Sequence, residues 1–180
     1  MSGGNMNRRY FLGLALSAAA APVLAKKSAD RPRVLSLHHM HTDERISVTY
    51  RIGERYQRSA LEKLNHFLRD FRTGDAVPID PQLFDILYDV QCNLGDSHAR
   101  YEVLSAYRSP RTNAMLRSTG HRVARNSLHM TGRAVDIRFP DCPTRMIRDA
   151  ALSVGRGGVG YYSSSDFVHV DTGDVRRWGA

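Results

Sequence analysis

Ser127-Leu128-His129-Met130-Thr131-Gly132-Arg133-Ala134-Val135-Asp136-Ile137-Arg138-Phe139 changes character halfway along. Up to Gly132 it is polar and without period, as a loop between regular elements would be. From Ala134 it alternates, with Val135, Ile137 and Phe139 on one face and Asp136 and Arg138 on the other, the signature of a strand with one buried side. Phe167-Val168-His169-Val170-Asp171 repeats the pattern: Val168 and Val170 share one face, while Phe167, His169 and Asp171 share the opposite one. With the valines and Ile137 turned to the core, Asp136, His169 and Asp171 all project from the other side of the sheet. The loop holding His129 then need only fold back over it. Two histidines and one carboxylate, with a fourth position left to water, form a known catalytic zinc arrangement. Such a metal polarises a carbonyl and lowers the pKa of water.

Working outward, residues 158–162 read as another strand and residues 144–154 as a helix. Tyr101 to Tyr107 reads as a strand ended by Arg108-Ser109-Pro110, and residues 112–117 as a short helix. Leu61, Leu64, Phe67, Leu68 and Phe71 have helical spacing over residues 59–71, and Asp80 caps a second helix with Pro81 in its first turn. Further upstream, residues 34–37 and 46–50 are short β-type runs around a turn-like His41-Thr42-Asp43-Glu44, and they are expected to pair as a hairpin. His38, His39 and His41 are read as part of a solvated turn rather than as ligands, because adjacent strand residues point to opposite faces. Strands interleaved with helices predict an α+β fold. The expected architecture is a single domain, with a small, mainly antiparallel sheet, helices packed on it, and residues 167–171 as its last strand.

The chain has 180 residues and a formal net charge of +8, enough for one ordinary domain with a basic surface that favours an acidic partner. Residues 1–25 read as an export leader. Arg8-Arg9 precedes a weakly apolar, Ala-rich run from Phe11 to Leu24, closed by Val23-Leu24-Ala25 and then Lys26-Lys27. The arginine pair before Phe11-Leu12 resembles a twin-arginine signal, with either Met1 or Met6 as the start. Residues 26–33 read as a linker and 34–180 as the folded domain. The expected partner during export is the twin-arginine translocase, the expected location is the periplasm, and no stable membrane anchor remains after cleavage. Export and the lack of a recognition helix argue against nucleic acid as the acidic partner. Cys92 and Cys142 have no metal-ligand spacing, and whether they pair is open.

A resemblance adds to this. Ser127-x-His129, then Asp136, then His169 on a later strand, resembles the zinc site of the D-alanyl-D-alanine metallopeptidases, whose wider group includes the hedgehog signalling domain. A murein-endopeptidase branch of that group is similar over nearly the whole mature chain. The shared stretches include Leu64-Asn65-His66-Phe67, Ser105-Ala106-Tyr107-Arg108-Ser109, Thr112-Asn113, Gly157-Gly158-Val159-Gly160-Tyr161-Tyr162, Phe167-Val168-His169-Val170-Asp171-Thr172-Gly173 and Trp178. The resemblance implies a peptidoglycan hydrolase with His129, Asp136 and His169 as ligands of one Zn2+. It implies cleavage of stem-peptide cross-links, with preference for those joining two diaminopimelate residues. It also implies that Arg108 reaches a substrate carboxylate or the developing oxyanion, and that Ser127 hydrogen-bonds the bound peptide.

The general base stays open between two aspartates. Many relatives place an acid three residues before the last histidine ligand, where Asp166 stands. Asp171 is the rival, being on the face of His169, and would serve equally as the group that orients that histidine. Two other readings share the same ligands: a carboxypeptidase trimming stem peptides, and a non-catalytic, zinc-containing wall-binding domain.

Overall fold

The computed structural model describes residues 31–96, 99–120 and 123–179, and the leader and residues 26–30 lie outside them. Eight strands form one sheet: β1 (Pro32–His39), β2 (Arg45–Ile52), β3 (Arg55–Tyr56), β4 (Arg100–Ser105), β5 (Ala134–Arg138), β6 (Gly158–Tyr162), β7 (Phe167–Asp171) and β8 (Arg176–Trp178). Their order is β3-β2-β1-β4-β5-β7-β6-β8. The sheet is mixed: β1 with β4 and β6 with β8 run parallel, and the other five pairings are antiparallel. Four α-helices accompany it among the described residues: α1 (Arg58–Phe67), α2 (Pro81–Asn93), α3 (Pro110–Ser118) and α4 (Thr144–Val154).

One face of the sheet is the core. Leu35, Leu37, Tyr101, Val103, Val135, Ile137, Val168 and Val170 are all buried there, with Leu64, Leu83, Phe84, Leu87 and Ile147 from the helices packed against them. Burial of this apolar surface is what holds helices and sheet together. The opposite face carries the polar residues of the same strands. β5 and β7 pair Asp136 with His169 and Val135 with Val170, so the alternation in the two sequences places both polar residues on one side.

Several boundaries differ from expectation. β1 begins at Pro32, two residues inside the stretch read as linker. The helix expected over residues 59–71 stops at Phe67. Beyond it, buried Asp70 accepts the backbone N–H of Arg72 at 3.0 Å and draws the chain into turns, the competition that aspartate commonly offers to a helix. The last strand is β8, not β7. Three residues pairing in parallel with β6 are too short to leave a periodic signal. His39, read as part of a solvated turn, is buried against Phe67 and Phe71. Burial, foremost, brings its imidazole down to about 4. Cys92 and Cys142 are free thiols. Among the described residues no helix is long and apolar enough to cross a membrane.

Candidate metal centre

Four separate segments build the site. Asp136 comes from β5 and His169 from β7, directly opposite each other. His129 sits in a short 3-10 helix (Leu128–Thr131) that folds over them. The segment following β4 supplies Arg108 and the carbonyl of Ala106. The 3-10 turn ends on Gly132 with φ 67°, and a Cβ there would lie 2.6 Å from the Pro78 carbonyl oxygen. Glycine is therefore needed both for the backbone conformation and for the close approach. The Gly132 carbonyl also accepts the Asp80 N–H at 2.9 Å, tying this turn to the start of α2.

One ligand atom from each of His129, Asp136 and His169 lies within 4.8 Å of the other two, and all three residues are buried. Hydrogen bonding fixes which ring atoms these are. His129 Nδ1 is 2.6 Å from the Ala106 carbonyl oxygen. A carbonyl only accepts, so that nitrogen carries the proton and Nε2 presents a lone pair. Nε2 lies 3.2 Å from His169 Nδ1 and 3.3 Å from Asp136 Oδ1. On the second histidine, Nε2 donates to Asp171 Oδ2 at 3.0 Å, and Nδ1 faces Asp136 Oδ1 at 2.9 Å. Two imidazole nitrogens and a carboxylate oxygen thus point at one spot. Each histidine is oriented by an acceptor on its far nitrogen, the arrangement typical of metal-ligating histidines.

The electrostatics agree with the donor set. Burial pushes the His129 imidazole below its ordinary value, so it stays neutral. Burial alone would raise Asp136, but His129 and His169 hold its carboxyl well below the usual range. Burial opposes protonation of His169, yet Asp136 and Asp171 together draw that imidazole upward. A buried cluster that pulls positive charge onto itself, through two neutral-capable imidazoles and one carboxylate, suits a divalent cation with mixed nitrogen and oxygen ligands.

Asp136 is shared. Its Oδ2 accepts from Arg108 at 2.5 Å, while Arg108 Nε donates to Ser105 Oγ at 2.8 Å. The guanidinium expected to meet substrate therefore lies at the cluster's edge, steadied by the carboxylate and the Ser105 hydroxyl. Ser127 caps the 3-10 turn, its Oγ accepting the His129 N–H at 3.4 Å. Its contact in the structure is with the loop that presents His129.

The two expected base candidates fare differently. Asp171 is fully buried. Its carboxylate accepts from His169, from the backbone N–H groups of Gly158 and Gly173 at 2.9 and 2.8 Å, and twice from Arg176, at 3.1 and 2.6 Å. Burial would raise it, but these donors hold it well below the usual carboxylate range. Both of its oxygens are thus filled by protein donors, one of them the His169 Nε2–H. Asp166 occupies a left-handed turn at φ 52° just before β7. It accepts from Thr144 Oγ1 at 3.0 Å and lies 3.6 Å from Arg138, and the structure does not bring it into the His–Asp–His cluster.

Two features beside the cluster were given no role by the sequence reading. The Ala106 carbonyl is backbone and leaves no trace in residue type. Trp178 stands with its ring centroid 5.2 Å from that of His169 and donates from Nε1 to the Tyr162 hydroxyl at 2.9 Å. Gly160, opposite His169 on β6, makes room for it, since a Cβ there would meet the indole at 2.6 Å. That Trp178 is the chain's single tryptophan was the available signal.

Comparison with known proteins gives a consistent picture. The sequence profile of the family described as peptidoglycan L,D-endopeptidase MepK matches residues 27–178. A probable peptidoglycan L,D-endopeptidase MepK of Haemophilus influenzae is 41% identical over 179 residues, 97% of this chain and 96% of that protein. The peptidoglycan L,D-endopeptidase MepK of Escherichia coli K12 is 45% identical over 177 residues, 96% of this chain and 97% of that protein. The protein of that name from Shigella flexneri shows the same identity and coverage.

Proposed function

The chain belongs to the peptidoglycan L,D-endopeptidase MepK family, and from that footing we propose that it is a zinc-dependent hydrolase of peptidoglycan cross-links, favouring those between two diaminopimelate residues. The observation that carries the reading is the convergence of His129 Nε2, His169 Nδ1 and Asp136 Oδ1 on one point, with each imidazole's other nitrogen already committed. We read the fold as that of the D-alanyl-D-alanine metallopeptidases, a reading that the family membership supports.

In this reading His129, Asp136 and His169 hold the metal, and Zn2+ there supplies Lewis acidity toward an amide carbonyl and a nucleophile from water at neutral pH. The chain's own groups do the rest. Ala106 and Asp171 keep the two histidines in the ligating tautomers. Arg108, fixed by Asp136 and Ser105, offers guanidinium N–H groups beside the place where the carbonyl oxygen gathers negative charge, or meets a substrate carboxylate in the same position. Ser127 holds the His129 turn, with its own O–H left to donate to a bound peptide. Trp178, hydrogen-bonded to Tyr162, packs beside the His169 ring. Asp166 lies outside the cluster, so the proton-accepting step is not assigned to it.

The export reading accompanies this one: residues 1–25 serve as a twin-arginine leader, and residues 26–180 act in the periplasm. The test is digestion of purified cross-linked muropeptide dimers by residues 26–180, with zinc and with a chelator, read by mass spectrometry. Conversion of dimers to monomers that the chelator abolishes is the expected result. Release of a single terminal amino acid with the dimers intact would replace this reading with a carboxypeptidase, and no change from folded, zinc-loaded protein would replace it with a binding domain.

A further inference from the structure

Two of the three candidate ligands are held by the sheet itself, because β5 and β7 set Asp136 opposite His169. His129 lies outside that ladder, on the 3-10 turn, so its distance from His169 depends on how the turn is fastened. The spacing is close to what a metal asks for. His129 Nε2 lies 3.2 Å from His169 Nδ1 and 3.3 Å from Asp136 Oδ1, and those two atoms are 2.9 Å apart. Ligand atoms at about 2.0–2.1 Å from a tetrahedral zinc stand roughly 3.3 Å from one another.

The turn is fastened on three sides. Toward the segment after β4, His129 Nδ1 donates to the Ala106 carbonyl, and the His129 carbonyl accepts the Arg108 N–H at 3.1 Å. Toward α2, the Gly132 carbonyl accepts the Asp80 N–H. Toward β7, Arg133 meets Thr172, the residue after Asp171. The Thr172 N–H donates to the Arg133 carbonyl at 3.0 Å, and the Arg133 guanidinium returns to the Thr172 carbonyl and, from Nε at 3.0 Å, to Thr172 Oγ1. That hydroxyl gives its own proton to Asp80 Oδ2 at 2.7 Å, while Asp80 Oδ1 caps α2 by accepting the Gln82 N–H at 3.0 Å. One oxygen, Thr172 Oγ1, thus joins the strand of His169, the segment between His129 and Asp136, and the start of α2. The Arg133 and Asp80 side chains are 42% and 25% exposed, so water can replace the hydroxyl as a partner for both, and its loss costs the fold little.

We propose that Thr172 is a positioning residue for the metal, its hydroxyl locking the His129 turn against β7 at the separation that the ion requires. The inference rests on the metal reading and adds to it the group that sets the distance from His129 to His169. Without the lock the turn keeps its backbone bonds but wanders relative to β7, and a ligand that wanders binds more weakly, as happens when an outer-shell partner is lost.

The test compares Thr172→Val, which keeps the outline of the side chain but neither donates nor accepts, with Thr172→Ser, which does both. Zinc affinity is read by chelator competition, and the cobalt-substituted proteins are compared by visible absorption, which reports the geometry of the ligands. Thr172→Val is expected to bind zinc about tenfold more weakly and to shift the cobalt bands, while its metal-free form melts close to wild type. Thr172→Ser is expected to match wild type in all three. A folded Thr172→Val with wild-type affinity and cobalt spectrum overturns the proposal, and so does a Thr172→Ser as weak as the valine variant. Wild type that binds both metals but converts no muropeptide dimer overturns the hydrolase reading instead, and the affinities still decide the role of Thr172. Wild type that takes up neither metal overturns both.

Discussion

Asp70 grips Ser109 by both ends, accepting its backbone N–H at 2.9 Å and its hydroxyl at 2.8 Å in a fully protein-lined setting. Ser109 in turn caps α3, and Arg108 precedes it. The turn after α1 therefore fixes the segment that carries Arg108 and the Ala106 carbonyl. Both bonds fall on Oδ2 while Oδ1 accepts the Arg72 N–H, so Asp70→Asn must turn its NH2 toward Ser109 or toward the Arg72 N–H, setting donor against donor at a cost of about 2 kcal/mol. We expect a lowered melting temperature together with reduced kcat. A stable variant of undiminished kcat would show that the grip serves the fold alone.

His129→Ala, Asp136→Ala and His169→Ala should each abolish zinc binding and hydrolysis while the far-UV circular dichroism spectrum is retained, because the hydrophobic core lies on the other face of the sheet. Zinc content by atomic absorption and dimer cleavage are the two readouts. Full activity in any of the three would remove that residue from the ligand set.

Asp171→Asn is a milder lesion. It leaves the metal ligands in place but weakens the acceptor that orients His169, and zinc affinity should fall tenfold to a hundredfold. Competition with a chromophoric chelator measures this. Because burial and five donors depend on that carboxylate, the variant is also expected to melt earlier, and excess zinc should restore part of the loss.

Asp85 gives stability a pH dependence remote from the site. It is buried beneath Tyr56, Tyr50, Arg51 and Arg33, whose groups donate at 2.5, 2.9, 2.8 and 3.2 Å. Burial would raise its carboxyl, but these partners hold it below the usual value. A carboxyl lowered by folding contributes fully above its unfolded value, about 3.9, and loses that contribution as pH falls toward the folded value. Wild type should therefore lose melting temperature on acidification below roughly pH 4. Asp85→Asn should be less stable at neutral pH by about 3 kcal/mol and show a shallower acid limb. Parallel acid limbs for the two proteins would refute the assignment.

Gly160→Ala tests the packing of Trp178 beside His169. The new methyl would sit 2.6 Å from the indole, so the ring must move, at a cost of about 1–3 kcal/mol. As Trp178 is the only tryptophan, its fluorescence reports the displacement directly, and a higher KM is expected with it. An unchanged emission spectrum would mean that the ring does not rest on Gly160 in solution.

The pairing of Asp136 with His169 was legible in sequence because two strands show period-2 alternation with a polar residue interrupting an apolar run at each. Those two strands, α4 and β6 were read at their observed bounds or within one residue. What escaped is what has no period. β8 is too short, the Ala106 carbonyl belongs to no side chain, and the alternation that put Asp171 beside His169 could not show that Arg176, Gly158 and Gly173 fill its oxygens. The burial of His39 was hidden by its neighbours: His38 beside it faces outward toward Asp43, and the cluster as a whole reads as polar.

β8 is the final element, and it supplies both Trp178 and the guanidinium that clamps Asp171. The orientation of His169 thus depends on a three-residue strand that contributes no atom to the His–Asp–His cluster. A lesion at Arg176 would leave all three residues of that cluster in place and still loosen the aim of one imidazole.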